Sequence, residues 1–453
     1  MSSAYPALND LFEFLNSFIT NVSILYSKIP GSGILLKYIK NSHQDDPYRT
    51  TLELFLEVEE LVDEWQPEPL VSKLSDDDLK ELEKVPIING PQGSKVKLTN
   101  GKTLMNFASF DFLGMLSRDE IKEKAIATLR KYGVGSCGPP GFYGTFDVHT
   151  EFEKKVSEFL GTEDTILYSQ GFSTIGSAIP SFCKRGDIIV ADQGCNFAIQ
   201  KGIQISRSVI KWYKHNDMED LERILQKIKD EDIEIELKKK FKYRLILDES
   251  LSFGTMGKRG AGLTDYFNIP VMDVDMIVGS MCTALCSSGG FCSGSFEVTE
   301  HQKISGPAYC YSASLPAMLA VSATESLSIL SKNSQLLITT LSSNIQTFRN
   351  CLSNVKYINI EGSKDSPVLH LRINEDVIKI GNEKEKLLQD IVNEAMNNGV
   401  LLTRSKYVKN QELFNVEPSI RICISTIFTK KEIEKSANII KLAINKILKN
   451  KIK

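Results

Sequence analysis

The sequence predicts an α/β protein: a large domain on a mostly parallel central sheet, followed by a smaller C-terminal α+β domain. Short apolar runs recur at 164–168, 187–192, 244–248 and 276–280, each closed by a glycine or polar turn. Near-continuous apolar runs of this length mark strands buried on both faces, and the helix-like stretches between them suit parallel connections. From about 316 a long helical pattern precedes short strands at 368–371 and 420–423, and a closing helix covers 430–447.

Four regions follow from the pattern. Residues 1–65 read as an N-terminal helical segment that associates with a membrane or a partner and ends in the acidic stretch 57–65. Gln66-Pro67-Glu68-Pro69 then forces extended backbone and marks a boundary. Residues 66–105 form a linker and a small hairpin, signalled by Asn89-Gly90 and Asn100-Gly101. Residues 106–315 are the large domain and 316–453 the small one. The charge run 227–242 reads as a solvated helix and connector, and the basic tail 446–453 as a fraying helix end.

Bulk composition narrows the function classes. The chain has 453 residues, enough for two or three domains, with 42% hydrophobic and 25% charged residues, as in soluble globular proteins. A net charge of −3 gives no general attraction for nucleic acid. Nine cysteines without a CxxC pair read as free thiols and argue against a zinc site or disulfide framework. The N-terminus lacks the signal-peptide pattern, and no run of 18 apolar residues occurs. Residues 11–39 form two amphipathic segments broken at Pro30-Gly31-Ser32-Gly33; packing on the protein's own body and binding to a membrane surface or partner both stay open.

Ligands of open α/β sheets bind at the carboxyl ends of the strands. Asp248 ends one strand, residues 280–290 follow another, and residues 169–173 join a strand to a helix whose N–H groups suit an anion. The stretches YGVGSCGPPGFYGT (132–145), KRGD (184–187), KHNDM (214–218) and DES (248–250) resemble the α-oxoamine synthases. DDPYRT (45–50), EWQPEPL (64–70) and YCYSASLP (309–316) bring the pattern nearest to the long-chain-base subunits of eukaryotic serine palmitoyltransferase. The resemblance implies a fold-type I pyridoxal phosphate (PLP)-dependent transferase fold.

The family's PLP chemistry needs a lysine for the Schiff base, a carboxylate on the pyridine nitrogen and an imidazole over the ring. The lysine-bearing pattern T-F-x-K-x-x-G-x-x-G-G matches residues 280–290 and puts Thr283 at the lysine. The carboxylate persists as Asp248, whereas Leu251 and Asn196 stand at the two histidine positions. The resemblance therefore implies a lost cofactor site and a chain that is silent alone. PLP would be bound covalently by a lysine-bearing catalytic partner in a heterodimer that condenses L-serine with palmitoyl-CoA to 3-ketosphinganine.

In such a pair each chain lends residues to the other's pocket. The loop 135–145 would lie at the interface with Gly138, Phe142 and Tyr143, and Cys137 nearest the partner's site. A small buried hydrophobe remains the alternative for Cys137. Ser312 and Ser314 match a segment that donates a hydroxyl to the phosphate of the neighbouring PLP. Arg421 stands where relatives hold the substrate carboxylate and is expected to be vestigial or structural. His149 and His215 read as structural, Lys184 and Lys258 as solvated, and Asp248 without a cofactor as a strand-end carboxylate or helix cap. A self-sufficient enzyme with an unrecognised lysine and a purely regulatory scaffold remain as rival readings.

Two departures from the family bear on location and fold. Relatives carry a transmembrane span between the motifs at 45–50 and 64–70, but here about 15 residues with four glutamates intervene, too few and too charged to cross a bilayer. Residence on the cytosolic face of the endoplasmic reticulum membrane would then rest on residues 11–39 or on the partner. Between 221 and 248 the chain also lacks a strand and helix that relatives have, which predicts a gap or an exposed edge in the sheet.

Overall fold

The computed structural model describes residues 69–231, 243–375, 377, 381–408 and 411–452. The chain divides into two units, Met1–Val85 and Pro86–Lys453. In the first, helix α1 (Asp76–Glu83) is capped by Ser75, whose Oγ accepts the Asp78 N–H at 3.2 Å. The expectations for residues 1–65 and for the motifs at 45–50 and 64–68 lie outside the described residues.

The second unit opens with the hairpin β1 (Lys95–Lys97) and β2 (Thr103–Asn106), paired antiparallel around the Asn100-Gly101 turn as its residues predict. Then follow α2 (Asp119–Tyr132), a 3-10 turn at Pro140–Phe142, α3 (Asp147–Leu160), β3 (Asp164–Tyr168), α4 (Gly171–Phe182) and β4 (Ile188–Asp192). Next come α5 (Phe197–Ser206), β5 (Val209–Tyr213), α6 (Met218–Glu231), β6 (Ile246–Asp248), α7 (Leu263–Phe267) and β7 (Met276–Ser280). β8 (Gly290–Gly294), α8 (Phe296–Ser305) and α9 (Pro307–Cys310) complete this part.

These strands form two sheets. One has the order β3-β8-β7-β6, with β8 antiparallel to both neighbours and β6 parallel to β7. The other is the parallel pair β4-β5. β8 therefore runs against an otherwise common direction. Among the described residues no ladder joins β4 to β6. β7 is buried along almost its whole length, whereas β4, β5 and β6 are mostly half-buried. The gap or exposed edge expected from the 221–248 region would fall here, where residues 232–242 lie outside the described residues. Helix packing and a shared apolar core hold the pair in place: a Cβ on Gly202 of α5 would sit 3.0 Å from the Ile175 carbonyl oxygen of α4, a tight approach that favours glycine, and Ala191 of β4 packs in one cluster with Tyr168, Met276 and Val278 of the other sheet.

The C-terminal part begins with α10 (Ala317–Leu352), followed by β9 (Ile358–Glu361), β10 (Val368–Ile373), α11 (Gly381–Asn397), β11 (Val400–Leu401), β12 (Thr403–Arg404), β13 (Ile420–Cys423) and α12 (Lys430–Ile452). Its antiparallel sheet has the order β12-β13-β10-β9, while β11 joins β2 in parallel. Phe107, just after β2, stacks on Phe428 at 4.4 Å and meets Phe348 at 5.5 Å, which ties the hairpin to α10. The tail from 446 does not fray as predicted. α12 continues to Ile452 because Leu448 is fully buried and Lys446 Nζ bonds Glu394 Oε2 at 2.9 Å.

β3 is an edge strand, and its outward Leu167 N–H is taken by Glu153 Oε1 of α3 at 2.9 Å. Burial pushes the Glu153 carboxyl up from its usual 4.5 to about 7. The folded state thus holds a proton that the unfolded chain releases earlier. This contribution to stability is complete below pH 4.5 and lost as pH rises through about 7. Glu153→Gln keeps an acceptor and removes the titration. Its melting temperature should fall less than the parent's between about pH 5 and about pH 8; equal slopes for the two proteins would refute this.

Candidate functional site

The carboxyl ends of β4, β6 and β7 converge on Asn196, Asp248 and Thr283. Asn196 is the N-cap of α5: its Oδ1 accepts the Ile199 N–H at 3.1 Å, as a capping amide does. Its Nδ2 donates to Asp248 Oδ2 at 2.9 Å. Asp248 Oδ1 accepts the Ser250 N–H, also at 2.9 Å. Each oxygen of this carboxylate already has a donor. Next to it Glu249 is fully buried, accepts the Leu263 N–H at 2.8 Å and the Ser252 hydroxyl, and fixes the start of α7.

Thr283 lies in the loop between β7 and β8 and is 8% exposed. Its hydroxyl reaches the Ser250 carbonyl at 2.7 Å and the Ser280 carbonyl at 3.2 Å. A hydroxyl forms no imine with an aldehyde, and this one is spent on clamping two strand-end loops together. The cleft beside it, lined by Phe110, Asp111, Cys282 and Cys286, has about 260 Å³. That is below the ~300–1,000 Å³ of ordinary small-molecule sites. Leu251, at a family histidine position, is 46% exposed and offers no polar atom. The first turn of α4 after Gln170 has no side-chain cap, so its N–H groups keep the anion-facing geometry read from 169–173.

The loop 135–145 is held by the segment before α10. Ser314 N–H donates to Gly138 O at 3.0 Å, Ser314 Oγ donates to Gly144 O, and Ser136 Oγ reaches Ser314 O at 3.3 Å. A Cβ on Gly144 would land on the Gly138 carbonyl oxygen, so the loop closes only with glycine there. His149 Nε2–H donates to Leu315 O at 2.6 Å while Nδ1 accepts the Phe146 N–H at 3.0 Å. That pattern needs a neutral ring, and burial lowers the His149 pKa accordingly.

This clasp turns the loop's side chains outward. Tyr143 is fully exposed, Phe142 is 67% exposed, and Cys137 is exposed with a left-handed φ of 56°. The buried-hydrophobe alternative for Cys137 is not met in this chain. Ser314 departs from its expected role: it is buried and its hydroxyl is committed to Gly144, whereas Ser312 is half-buried with no hydrogen bond among the described residues.

The remaining candidates lie apart from this loop. His215 Nδ1 meets Asp192 Oδ1 at 2.8 Å and Nε2 meets Asn216 Nδ2 at 3.1 Å. Lys184 and Lys258 are exposed. The Arg421 guanidinium lies 4.2 Å from the Phe110 ring centre, and Nη2 donates to Ala108 O at 3.2 Å. Phe110 was not singled out from the sequence; a lone arginine inside an apolar strand is the signal that asks for such a neighbour.

Fold and strand-end geometry define an aminotransferase-type α/β protein, and the model of the family "Aminotransferase class I and II" matches residues 102–236 and 234–440. Among solved structures, a serine palmitoyltransferase variant from S. paucimobilis with a bound PLP–myriocin aldimine superposes with a TM-score of 0.71 at 19% identity, covering 88% of this chain and 99% of its own. 8-Amino-7-oxononanoate synthase from Francisella tularensis reaches 0.61 at 21% identity, covering 76% and 98%. The chain belongs to the serine palmitoyltransferase 1, or long chain base biosynthesis protein 1, family. It is 37% identical to serine palmitoyltransferase 1 of Dictyostelium discoideum over 98% of this chain and 99% of the relative. It is 35% identical to long chain base biosynthesis protein 1 of Arabidopsis thaliana over 86% of each.

Asn196 both caps α5 and occupies Asp248. Asn196→Ala removes the cap and leaves Asp248 Oδ2 without its donor, and should cost about 1–2 kcal/mol, read as a lower denaturation midpoint at unchanged slope. A midpoint within error of the parent would show that neither bond matters.

Proposed function

We propose that this chain is the non-catalytic subunit of a serine palmitoyltransferase. Its lysine-bearing partner, long-chain-base subunit 2, would condense L-serine with palmitoyl-CoA to 3-ketosphinganine, the first step of sphingolipid synthesis. The observation that carries the reading is Thr283, which stands at the Schiff-base position and spends its hydroxyl on two carbonyls. The residues around it do not fit covalently held PLP: Asn196 already serves Asp248, and Leu251 brings no imidazole. The cofactor, which supplies an electron sink for carbanion chemistry, belongs to the partner in this reading.

The chain's own residues act at a distance from the bond changes. The clasped loop presents Cys137, Phe142 and Tyr143 as a preorganised rim for the partner's pocket, so little backbone entropy is lost on docking. Ser312 offers an uncommitted hydroxyl to the phosphate across the interface, adding a hydrogen bond without charge. The heterodimer sits on the cytosolic face of the endoplasmic reticulum membrane, held there by the partner or by residues 11–39. Among the described residues no helix is long and apolar enough to cross a membrane.

The test is to purify this chain alone, the partner alone and the two together. Borohydride reduction should place pyridoxyl-lysine on the partner only, with condensation by the complex. A pyridoxyl-lysine on this chain would overturn the reading. The two serines separate the roles within it. Ser312→Ala should weaken PLP retention by the complex about tenfold without changing its melting temperature, the loss of one hydrogen bond to a charged group. Ser314→Ala should instead lower the melting temperature and leave PLP retention unchanged. If Ser312→Ala leaves PLP retention unchanged, this chain does not touch the phosphate.

A further inference from the structure

We propose that the cavity between the second half of α3, the turn at 257–262 and the middle of α10 binds a phosphate-bearing ligand. The cavity has about 330 Å³ and lies away from the strand-end site. It sits at the end of α3 opposite the clasped loop, ~18 Å along the helix by its rise per residue. Three cations line it, Lys155, Arg259 and Lys332, against the single carboxylate of Glu158.

Arg259 is held in place before any ligand arrives. Its backbone N–H donates to Asp265 Oδ2 at 2.8 Å and its Nε lies 3.8 Å from Asp265 Oδ1, while Nη1 donates to the Phe159 carbonyl at 3.2 Å and the guanidinium lies 5.9 Å from the Phe159 ring centre. A fixed planar fork loses little entropy on meeting a phosphate and matches its oxygens in pairs. Lys155 pairs with Glu151 at 2.9 Å, but both side chains are over a third exposed, and such a surface pair is worth little against a multivalent anion. Lys332 has no ion pair or hydrogen bond among the described residues, whereas Arg259 and Lys155 are met from behind the lining by Asp265 and Glu151. Glu158, the one carboxylate in the lining itself, is turned to Lys154 at 3.8 Å.

The shape of α10 gives the second, independent observation. At Asn333 the backbone leaves the helical region, with φ −122° and ψ 20°, and Asn333 Nδ2 donates to the Ile329 carbonyl at 3.0 Å. In an unbroken helix, residues two apart point to different faces. Here Lys332 and Ser334 line the same cavity, which the kink at the intervening residue makes possible. Ser331 joins them, and the hydroxyls of Ser331 and Ser334 have no hydrogen bond among the described residues. Cations together with hydroxyl donors that have no hydrogen bond among the described residues suit an oxyanion of high charge.

The same chemistry is carried by a soluble phosphate and by a lipid headgroup, and one experiment separates them. The complex of this chain with its lysine-bearing partner is titrated calorimetrically with inorganic pyrophosphate. In parallel it is floated with phosphatidylcholine vesicles with and without phosphatidylinositol phosphate. Saturable binding of pyrophosphate supports a soluble ligand, and flotation that needs the phosphorylated headgroup supports a lipid one. In whichever arm binds, Lys332→Gln and, separately, Lys155→Gln should weaken affinity about tenfold, the loss of one charged contact. Lys431→Gln, on the exposed face of α12, should leave it unchanged. Absence of binding in both arms overturns the proposal, as does a Lys431→Gln effect equal to that of Lys332→Gln.

Discussion

The clasp between residues 136–144 and 314–315 is the constraint on which the functional surface depends. Ser314 is bonded through its amide and its hydroxyl to two carbonyls of the glycine-rich loop, and His149 closes the set from the start of α3. The loop and the first turn of α3 that follows it are thereby fixed to the entry to α10, 166 to 170 positions further along the chain. Without the clasp the loop would be a flexible surface segment. With it, Tyr143 and Cys137 hold left-handed backbone conformations, costly for non-glycine residues and tolerated only where the surroundings enforce them.

The strand-end site is organised by a different economy. Groups that face a cofactor in a PLP enzyme must stay unsatisfied by the protein, so that the ligand completes them. Here they complete one another. Asn196 serves Asp248, and Thr283 serves the carbonyls of Ser250 and Ser280. A network satisfied internally stabilises the fold at the expense of binding, because a ligand would have to replace bonds already made.

How much of this was legible beforehand depends on whether a residue's partners are local. β3 and β7 announce themselves as apolar runs, and the Asn100-Gly101 turn predicts its hairpin. β8 was missed because Gly-Phe-Cys-Ser-Gly has no strand composition; it is a strand only because β3 and β7 flank it on both sides. β5 was missed because Lys211 interrupts its apolar pattern. At the site, the resemblance located Thr283, Asn196 and Leu251 by motif spacing alone. It could not say that Ser314 is committed and Ser312 free, since the acceptor of Ser314, Gly144, lies 170 positions away in sequence.

The interrupted sheet also bears on how the molecule breathes. β4 and β5 share no ladder with the main sheet among the described residues and are attached through an apolar cluster with β3 and β7, the close α4–α5 contact at Gly202 and the Asn196–Asp248 bond. A pair of strands tied to its surroundings by side chains and helix packing, without a backbone ladder, is expected to open at lower cost than the β3-β8-β7-β6 sheet. Its amide hydrogens would then exchange with solvent ahead of those of β7 and β8. The opening of the strand that precedes Asn196 would be the first event to unmake the sealed site.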